Sequence, residues 1–295
     1  MSGNAFRMDD DRAYKAWRDD KLRDYPATAA DLLVPVSDPF HLSEQENVAI
    51  LERIRKTNMA VYALRSGGGG PAEVKALGDH FGLLRLDAHL QSDSSCITAL
   101  EVADEGGRSR YIPYTNRPIK WHTDGYYNVP QERIRGLILH CTRPAVTGGE
   151  NALMDHEVAY ILMRDEDPAL VAALCHPRSF VVPPNVEGGE EIRGERPNPV
   201  FYVDDETGAL GMNYSMRKRN MAWRDEGATT AAVAFLEALL NGDSPYIFRH
   251  RMAAGQGLIG NNVLHDRTGF DDGDAASGQG RLMYRGRYFD RVAHT

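Results

Sequence analysis

A histidine and a carboxylate stand two residues apart in the stretch Trp121-His122-Thr123-Asp124-Gly125-Tyr126-Tyr127-Asn128. In an extended segment, residues i and i+2 project from the same face, so His122 and Asp124 would point the same way. A neutral imidazole and a carboxylate held like that are two arms of a metal clamp. A second histidine from elsewhere in the chain would complete the 2-His-1-carboxylate face that holds Fe(II) and leaves further coordination positions open. An HxD pattern alone arises often by chance, so the rest of the chain has to supply the third ligand.

Nine other histidines are available: His41, His80, His89, His140, His156, His176, His250, His265 and His294. A useful one should sit late in the chain, on or after a strand that can lie beside the opening segment. It should also precede a basic residue able to take a dicarboxylate. Only His265 meets both conditions. It follows the strand-and-turn 257–264 and precedes Arg267, Arg281 and Arg285. Taken alone, His265 would read as a solvated loop histidine; beside the upstream HxD it reads as the third ligand. His140 lies in the apolar run 135–141 and reads as a hydrogen-bonded core residue, and His80 as a capping or core residue at a helix end.

The elements that must position these groups follow from pattern. Residues 10–23 can form a polar helix on Tyr14, Trp17 and Leu22. Val34-Pro35-Val36-Ser37-Asp38-Pro39 reads as an extended connection, because each proline turns its predecessor away from helix. Ser43-Glu44-Gln45-Glu46 has the capping-box pattern and opens a helix to about Thr57, with strand 59–64 after it. Ser66-Gly67-Gly68-Gly69-Gly70-Pro71 lacks the ending of a phosphate-binding loop and reads as a flexible turn before a helix at 72–81. Residues 92–120 read as loop and strand, and 135–141 as a buried strand. Gly148-Gly149 turns the chain into 150–154. Helices follow at 155–163 and 168–174, the second opened by Asp167-Pro168. Short strands are expected at 180–182, 200–203 and 210–214, a helix at 229–240, and strands at 246–249, 257–261 and 282–289. An acidic, glycine-rich loop, 271–280, precedes the last strand. Many short strands with helices mainly in the first half predict a mainly β fold with helical padding around a double-stranded β-helix (jelly-roll, cupin-like) core. Nothing splits the chain, so 1–295 reads as one domain with 1–42 as an N-terminal extension packed on it.

Whole-chain properties exclude some functions. A net charge of −8 over 295 residues argues against a nucleic-acid surface. Three cysteines, Cys96, Cys141 and Cys175, form no CxxC pair and suit a reducing compartment without disulfides or a cysteine zinc site. No apolar signal core or run of 18 apolar residues occurs, so a cytoplasmic location is expected. The expected partner is a small-molecule substrate, with a homo-oligomer left open and neither nucleic acid nor membrane involved.

Ordered together, Tyr114-Thr115-Asn116, Trp121-His122-Thr123-Asp124, Gly148-Gly149-Glu150-Asn151, Asn262-Val263-Leu264-His265-Asp266-Arg267 and Arg281-Leu282-Met283-Tyr284-Arg285 resemble the taurine dioxygenase (TauD/TfdA) family of Fe(II)/2-oxoglutarate-dependent oxygenases, over about residues 45–290. There is also some likeness to its γ-butyrobetaine hydroxylase branch. The resemblance implies that His122, Asp124 and His265 hold Fe(II), with 2-oxoglutarate and O2 as co-substrates. Oxidative decarboxylation to succinate and CO2 would be coupled to oxidation of a C–H bond. It implies Arg281, the first of an Arg-x-x-x-Arg pair, as the clamp on the distal carboxylate. Asn151 would be a second co-substrate contact, although the family usually has a hydroxyl there. The loop before Arg281 is longer than usual, which keeps Arg285 open as the co-substrate arginine. Asp124 favours hydroxylation over halogenation, since related halogenases replace this carboxylate by a small residue; desaturation and ring closure use the same ligands.

Substrate contacts are expected from Tyr126, Tyr127 and Asn128, and from Tyr214, Arg217 and Arg285. The cations would suit a small anionic or zwitterionic metabolite. The tyrosines would instead suit an aromatic cage for a quaternary ammonium. Alternatives for the charged residues are a solvated run at 217–219 and surface strand positions for Arg281 and Arg285. Two other functions remain open at this point: a catalytically silent jelly-roll binding protein and a zinc hydrolase on the same triad. An intact ligand set with Arg281 speaks against both, because a hydrolase needs no dicarboxylate clamp.

Overall fold

A computed structural model describes residues 4–87, 96–103, 111–273 and 280–295. His89, the segment 92–95 and most of the 271–280 loop lie outside the described residues. The fold is mainly β, in several sheets, with helices interspersed. By internal contacts the chain forms two compact units. One comprises Pro26–Lys120, Glu132–Leu153 and Phe248–Thr295; the other comprises Met1–Tyr25, Trp121–Gln131 and Met154–Ile247. No helix among the described residues is long and apolar enough to cross a membrane.

The first of these units is built on a six-stranded sheet in the order Leu33–Val36, Met59–Leu64, Gln256–Gly260, Gly136–Arg143, Leu282–Tyr288, Thr98–Leu100. The segment expected to be an extended connection is thus an edge strand, pairing parallel to Met59–Leu64. Pro35 is tolerated there because an edge strand has one side that needs no N–H donor. The helix Glu44–Thr57 opens with the expected box, Ser43 accepting from the Glu46 N–H and Glu46 accepting from the Ser43 N–H. It stops at Asn58 in the left-handed region (φ 57). This helix and Pro71–His80 cover one sheet face. Ile50, Ile54, Val74, Leu77 and Phe81 pack there against Tyr62, Ile138, Ile259 and Tyr288. His80 is exposed at its helix end and packs edge-on against Phe81, so it is not a core residue.

One cross-strand device in this sheet explains His140. Gly257 pairs with Tyr62 on one side and with His140 on the other. The missing side chain at Gly257 lets the Tyr62 ring cross it, and its hydroxyl reaches His140 Nδ1 at 3.1 Å. The rings stack at 5.8 Å, and burial pushes the imidazole pKa down. His140 is therefore a neutral core histidine, as its apolar neighbours predict.

A four-stranded sheet follows the order Phe248–His250, Asn151–Met154, Leu264–Arg267, Ile119–His122. The Leu264–Arg267 strand and the two-residue strands Thr147–Gly148 and Phe270–Asp271 are not foreseen by pattern. Strands this short offer too few residues for a period to register.

The other unit carries the helices His156–Glu166, Pro168–Leu174 and Gly227–Asn241, with short hairpins between. The N-terminal helix Asp11–Leu22 packs here. Its Tyr14 hydroxyl donates to Asp165 at 2.7 Å, and the buried Lys21 ammonium sits 2.8 Å from Asp155 and 2.5 Å from Glu157. The hairpin Asn185–Glu187/Glu190–Arg193 is an addition that the sequence pattern does not announce.

Candidate metal and co-substrate site

The strand Ile119–His122 ends on its histidine, so Asp124 does not continue it. Thr123 is still extended in effect, because its N–H donates to the Tyr214 carbonyl and its hydroxyl accepts from the Tyr214 N–H, both at 3.0 Å. Asp124 then opens a turn in which Gly125 takes φ 68 and the Asn128 N–H donates to the Gly125 carbonyl at 2.8 Å. The expected strand spacing is replaced by strand plus turn, yet the two side chains still converge. His122 Nε2 lies 3.6 Å from Asp124 Oδ1.

His265 occupies its own strand, Leu264–Arg267, and is buried. Its Nδ1 lies 2.9 Å from the Val263 carbonyl. A carbonyl only accepts, so Nδ1 carries the proton and Nε2 keeps its lone pair for a metal. One ligand atom from each of His122, Asp124 and His265 lies within 4.8 Å of the others. Two imidazole nitrogens and one carboxylate oxygen this close form a donor set that fits a divalent iron and leaves positions open.

Arg281 is buried, only 7% exposed. It lines a small pocket with Cys141, Gly149, Asn151, Arg251 and Met252. Gly149 (φ 72) has no side chain to intrude; a Cβ there would sit 3.6 Å from Arg281 Nε. Two guanidinium groups lie over the Phe270 ring, Arg281 at 5.1 Å and Arg267 at 4.7 Å from its centre. Burial pushes the pKa of Arg281 down, and burial together with the Arg281 charge pushes Arg267 down to about 9. Guanidinium groups keep their protons at neutral pH, so the depression registers the cost of burying two like charges side by side. One terminal nitrogen of Arg267, Nη2, donates to the Thr115 and Arg117 carbonyls at 2.7 and 2.5 Å, while its buried Nε has no partner among the described residues. Among the described residues the Arg281 guanidinium makes no hydrogen bond. Asn151 is buried beside it and donates to the Asp266 carbonyl at 2.6 Å. Arg285 stands four residues further on, inside the strand Leu282–Tyr288 that Arg281 precedes, paired across to Leu139 and Thr98. It is half-buried.

The expected substrate residues divide. Tyr126 and Tyr127 are half-buried with rings edge to face at 5.2 Å. The Tyr126 hydroxyl accepts from Asn220 Nδ2 at 2.6 Å, and Arg193 lies over the Tyr127 ring at 5.5 Å. The Asn128 N–H closes the turn described above. Tyr214 is fully buried against Trp223, a core position. Its residue pairing explains why: His122 bridges Ser215, so the pleat sends Ser215 to the His122 face and Tyr214 to the opposite one. Lys218 and Arg219 are exposed, whereas Arg217 is half-buried and close enough to act on Tyr126. Sequence reading missed Ser215, Asn198, Asn220 and Arg193. Alternation from Asn213 could have indicated Ser215; the others carry no local signal.

A uridine-5′-phosphate dioxygenase from Amycolatopsis sp is 30% identical over 158 residues, which is 52% of this chain and only 55% of that protein. An asparagine oxygenase solved with Fe(II), hydroxyasparagine and succinate superposes with TM-score 0.58 at 15% identity, covering 87% of this chain and 93% of that one. A taurine dioxygenase from Burkholderia xenovorans gives TM-score 0.55 at 16% identity, covering 86% and 89%. At such identities the two structures speak for the fold. The sequence model of one family matches residues 24–287, and the chain belongs to it: the taurine catabolism dioxygenase TauD, TfdA family.

Proposed function

We propose that this chain is an Fe(II)- and 2-oxoglutarate-dependent dioxygenase that hydroxylates an unactivated C–H bond of a small anionic or zwitterionic metabolite. The convergence of His122, Asp124 and His265 within 4.8 Å carries the reading. The large and the four-stranded sheets then belong to a double-stranded β-helix core, and 1–295 acts as a single cytoplasmic enzyme domain. His122, Asp124 and the Nε2 of His265 hold the iron. Arg281 takes the distal carboxylate of 2-oxoglutarate with its guanidinium fork, in a pocket that Asn151 helps to shape. When bound, Fe(II), 2-oxoglutarate and O2 supply oxidation of a C–H bond coupled to loss of CO2 and formation of succinate.

The chain itself orients and shields. Val263 fixes the His265 tautomer, and the buried walls around Arg281 exclude water that would weaken its hold on a carboxylate. Arg217 and Arg285 are the cations proposed to meet an anionic substrate group. The aromatic-cage alternative has less support, because the Tyr127 ring already carries the Arg193 guanidinium. The uridine-5′-phosphate dioxygenase relative makes a nucleoside phosphate a sensible member of any substrate panel.

Two measurements test the proposal. The anaerobic protein with Fe(II) and 2-oxoglutarate should show a visible metal-to-ligand charge-transfer band. In air, succinate release should rise with carboxylate, sulfonate or phosphate candidates and not with quaternary ammonium ones. Absence of both the band and succinate would end the oxygenase reading.

A further inference from the structure

The metal carboxylate sits on a turn with a built-in weakness. Asp124 is followed at once by Gly125 in the left-handed region, φ 68, where a glycine leaves the backbone its widest freedom. The strand that fixes His122 ends before this point. Something beyond the ladder must keep the carboxylate aimed.

Three residues, Asn220, Ser215 and Asn198, reach the turn. The Tyr126 hydroxyl accepts from Asn220 Nδ2 at 2.6 Å, a short and strong bond. The Ser215 side chain stands close enough to act on the Tyr126 phenol. Ser215 in turn is the residue bridged to His122, and its hydroxyl caps the Arg217 N–H at 3.3 Å. The Asn198 amide, 2% exposed, reaches the carbonyls of Tyr126 and Asn128 at 3.4 and 3.5 Å. The phenol therefore ties the turn back to the segment that follows Ser215, which is paired with His122.

We infer that Tyr126 is a positioning residue for the metal ligand Asp124, acting through Asn220 and Ser215, and that its hydroxyl is not a substrate contact. This rests on the proposed iron site and adds to it a second layer that holds one ligand. Outer partners of metal ligands typically change metal affinity by about 10–100-fold when removed.

The test is metal binding by the apo protein, followed by anaerobic titration with Co(II), with circular dichroism and Tm as folding controls. Asp124→Ala should abolish tight binding, which checks the ligand set by itself. Tyr126→Phe and Asn220→Leu should each weaken Co(II) about tenfold, and the double variant should be no worse than either single one. Asn220→Asp should restore most of the affinity, because the phenol can donate to a carboxylate where it formerly accepted from an amide. If wild type binds Co(II) and Asp124→Ala does not, yet Tyr126→Phe and Asn220→Leu bind as wild type, the positioning role is wrong. Additive losses in the double variant, or no rescue by Asn220→Asp, overturn it equally. If wild type itself fails to bind, the iron site falls first. Should Tyr126→Phe fold poorly, the Asn220 pair decides the matter alone.

Discussion

Replacing Arg281 by leucine should move two observables in opposite directions. In the protein without co-substrate, the Arg281 charge is buried, is disfavoured by that burial, and lies with Arg267 around Phe270. Exchanging a buried, poorly compensated charge for a packed apolar side chain is neutral or stabilising by up to ~4 kcal/mol. We expect about 1 kcal/mol here, since the side chain lost also contributes packing, and a rise in Tm of about 2 °C for a chain of this size. Binding should go the other way. Truncating one partner of a buried charge pair costs about 2–5 kcal/mol, and with Arg251 still lining the pocket we expect about 3 kcal/mol, roughly a 150-fold rise in Kd for 2-oxoglutarate. Differential scanning fluorimetry with and without saturating 2-oxoglutarate reads both effects together. Wild type should gain about 2.7 kcal/mol of stability at a hundredfold excess over Kd, and the variant almost none. Co(II) affinity should be unchanged in both. If the variant loses stability in the apo form and keeps its 2-oxoglutarate affinity within threefold, the charged-pocket reasoning fails. If Arg285→Leu takes the binding loss instead, the co-substrate arginine has been assigned to the wrong member of the pair.

Two further expectations concern the scaffold. Burial is the largest single influence on Glu46 and raises its pKa, but the hydrogen bonds from Ser43 and Ser37 together outweigh it and hold the carboxyl at about 2, against an ordinary 4.5. The unfolded chain thus binds more protons between those values, so this contribution is whole above about pH 4.5 and disappears as pH falls through about 2. The Tm gap between wild type and Glu46→Gln should accordingly close on acidification; a gap constant with pH would refute the capping account. Gly257→Ala would put a Cβ 2.3 Å from the Tyr62 ring and 2.5 Å from the Leu139 carbonyl. Because the second obstacle is backbone of a neighbouring strand, relaxation is poor, and urea unfolding should show a loss of about 3 kcal/mol.

Much of the site was legible in the chain because its signals are local or chemically rare. His122 and Asp124 are neighbours in sequence, and the Ser43/Glu46 box and the Asp167-Pro168 start announce helices through contacts three residues long or less. His265 could be chosen only because few histidines stand before a buried-type arginine late in the chain. The turn at Gly125 was not foreseeable from HxD spacing, since strand and turn both bring i and i+2 within reach of one metal. Nor does the sequence separate Tyr214 from Ser215: a one-residue step in the pleat decides which faces the histidine, and the register comes from pairing with residues some ninety positions away.

Residue types and order thus determined the chemistry on offer: two imidazoles, a carboxylate, and an arginine spaced for a dicarboxylate. Tertiary structure alone decided which donors remain unspent. Arg267 and Arg281 look equivalent as letters, yet Arg267 is tied through Nη2 to the Thr115 and Arg117 carbonyls, while Arg281 makes no hydrogen bond among the described residues. Likewise the Tyr126 phenol is committed to Asn220 across 94 residues. Hydrogen-bond capacity is finite and is shared among groups brought close only by folding, so a side chain's vocation is fixed by its neighbours in space.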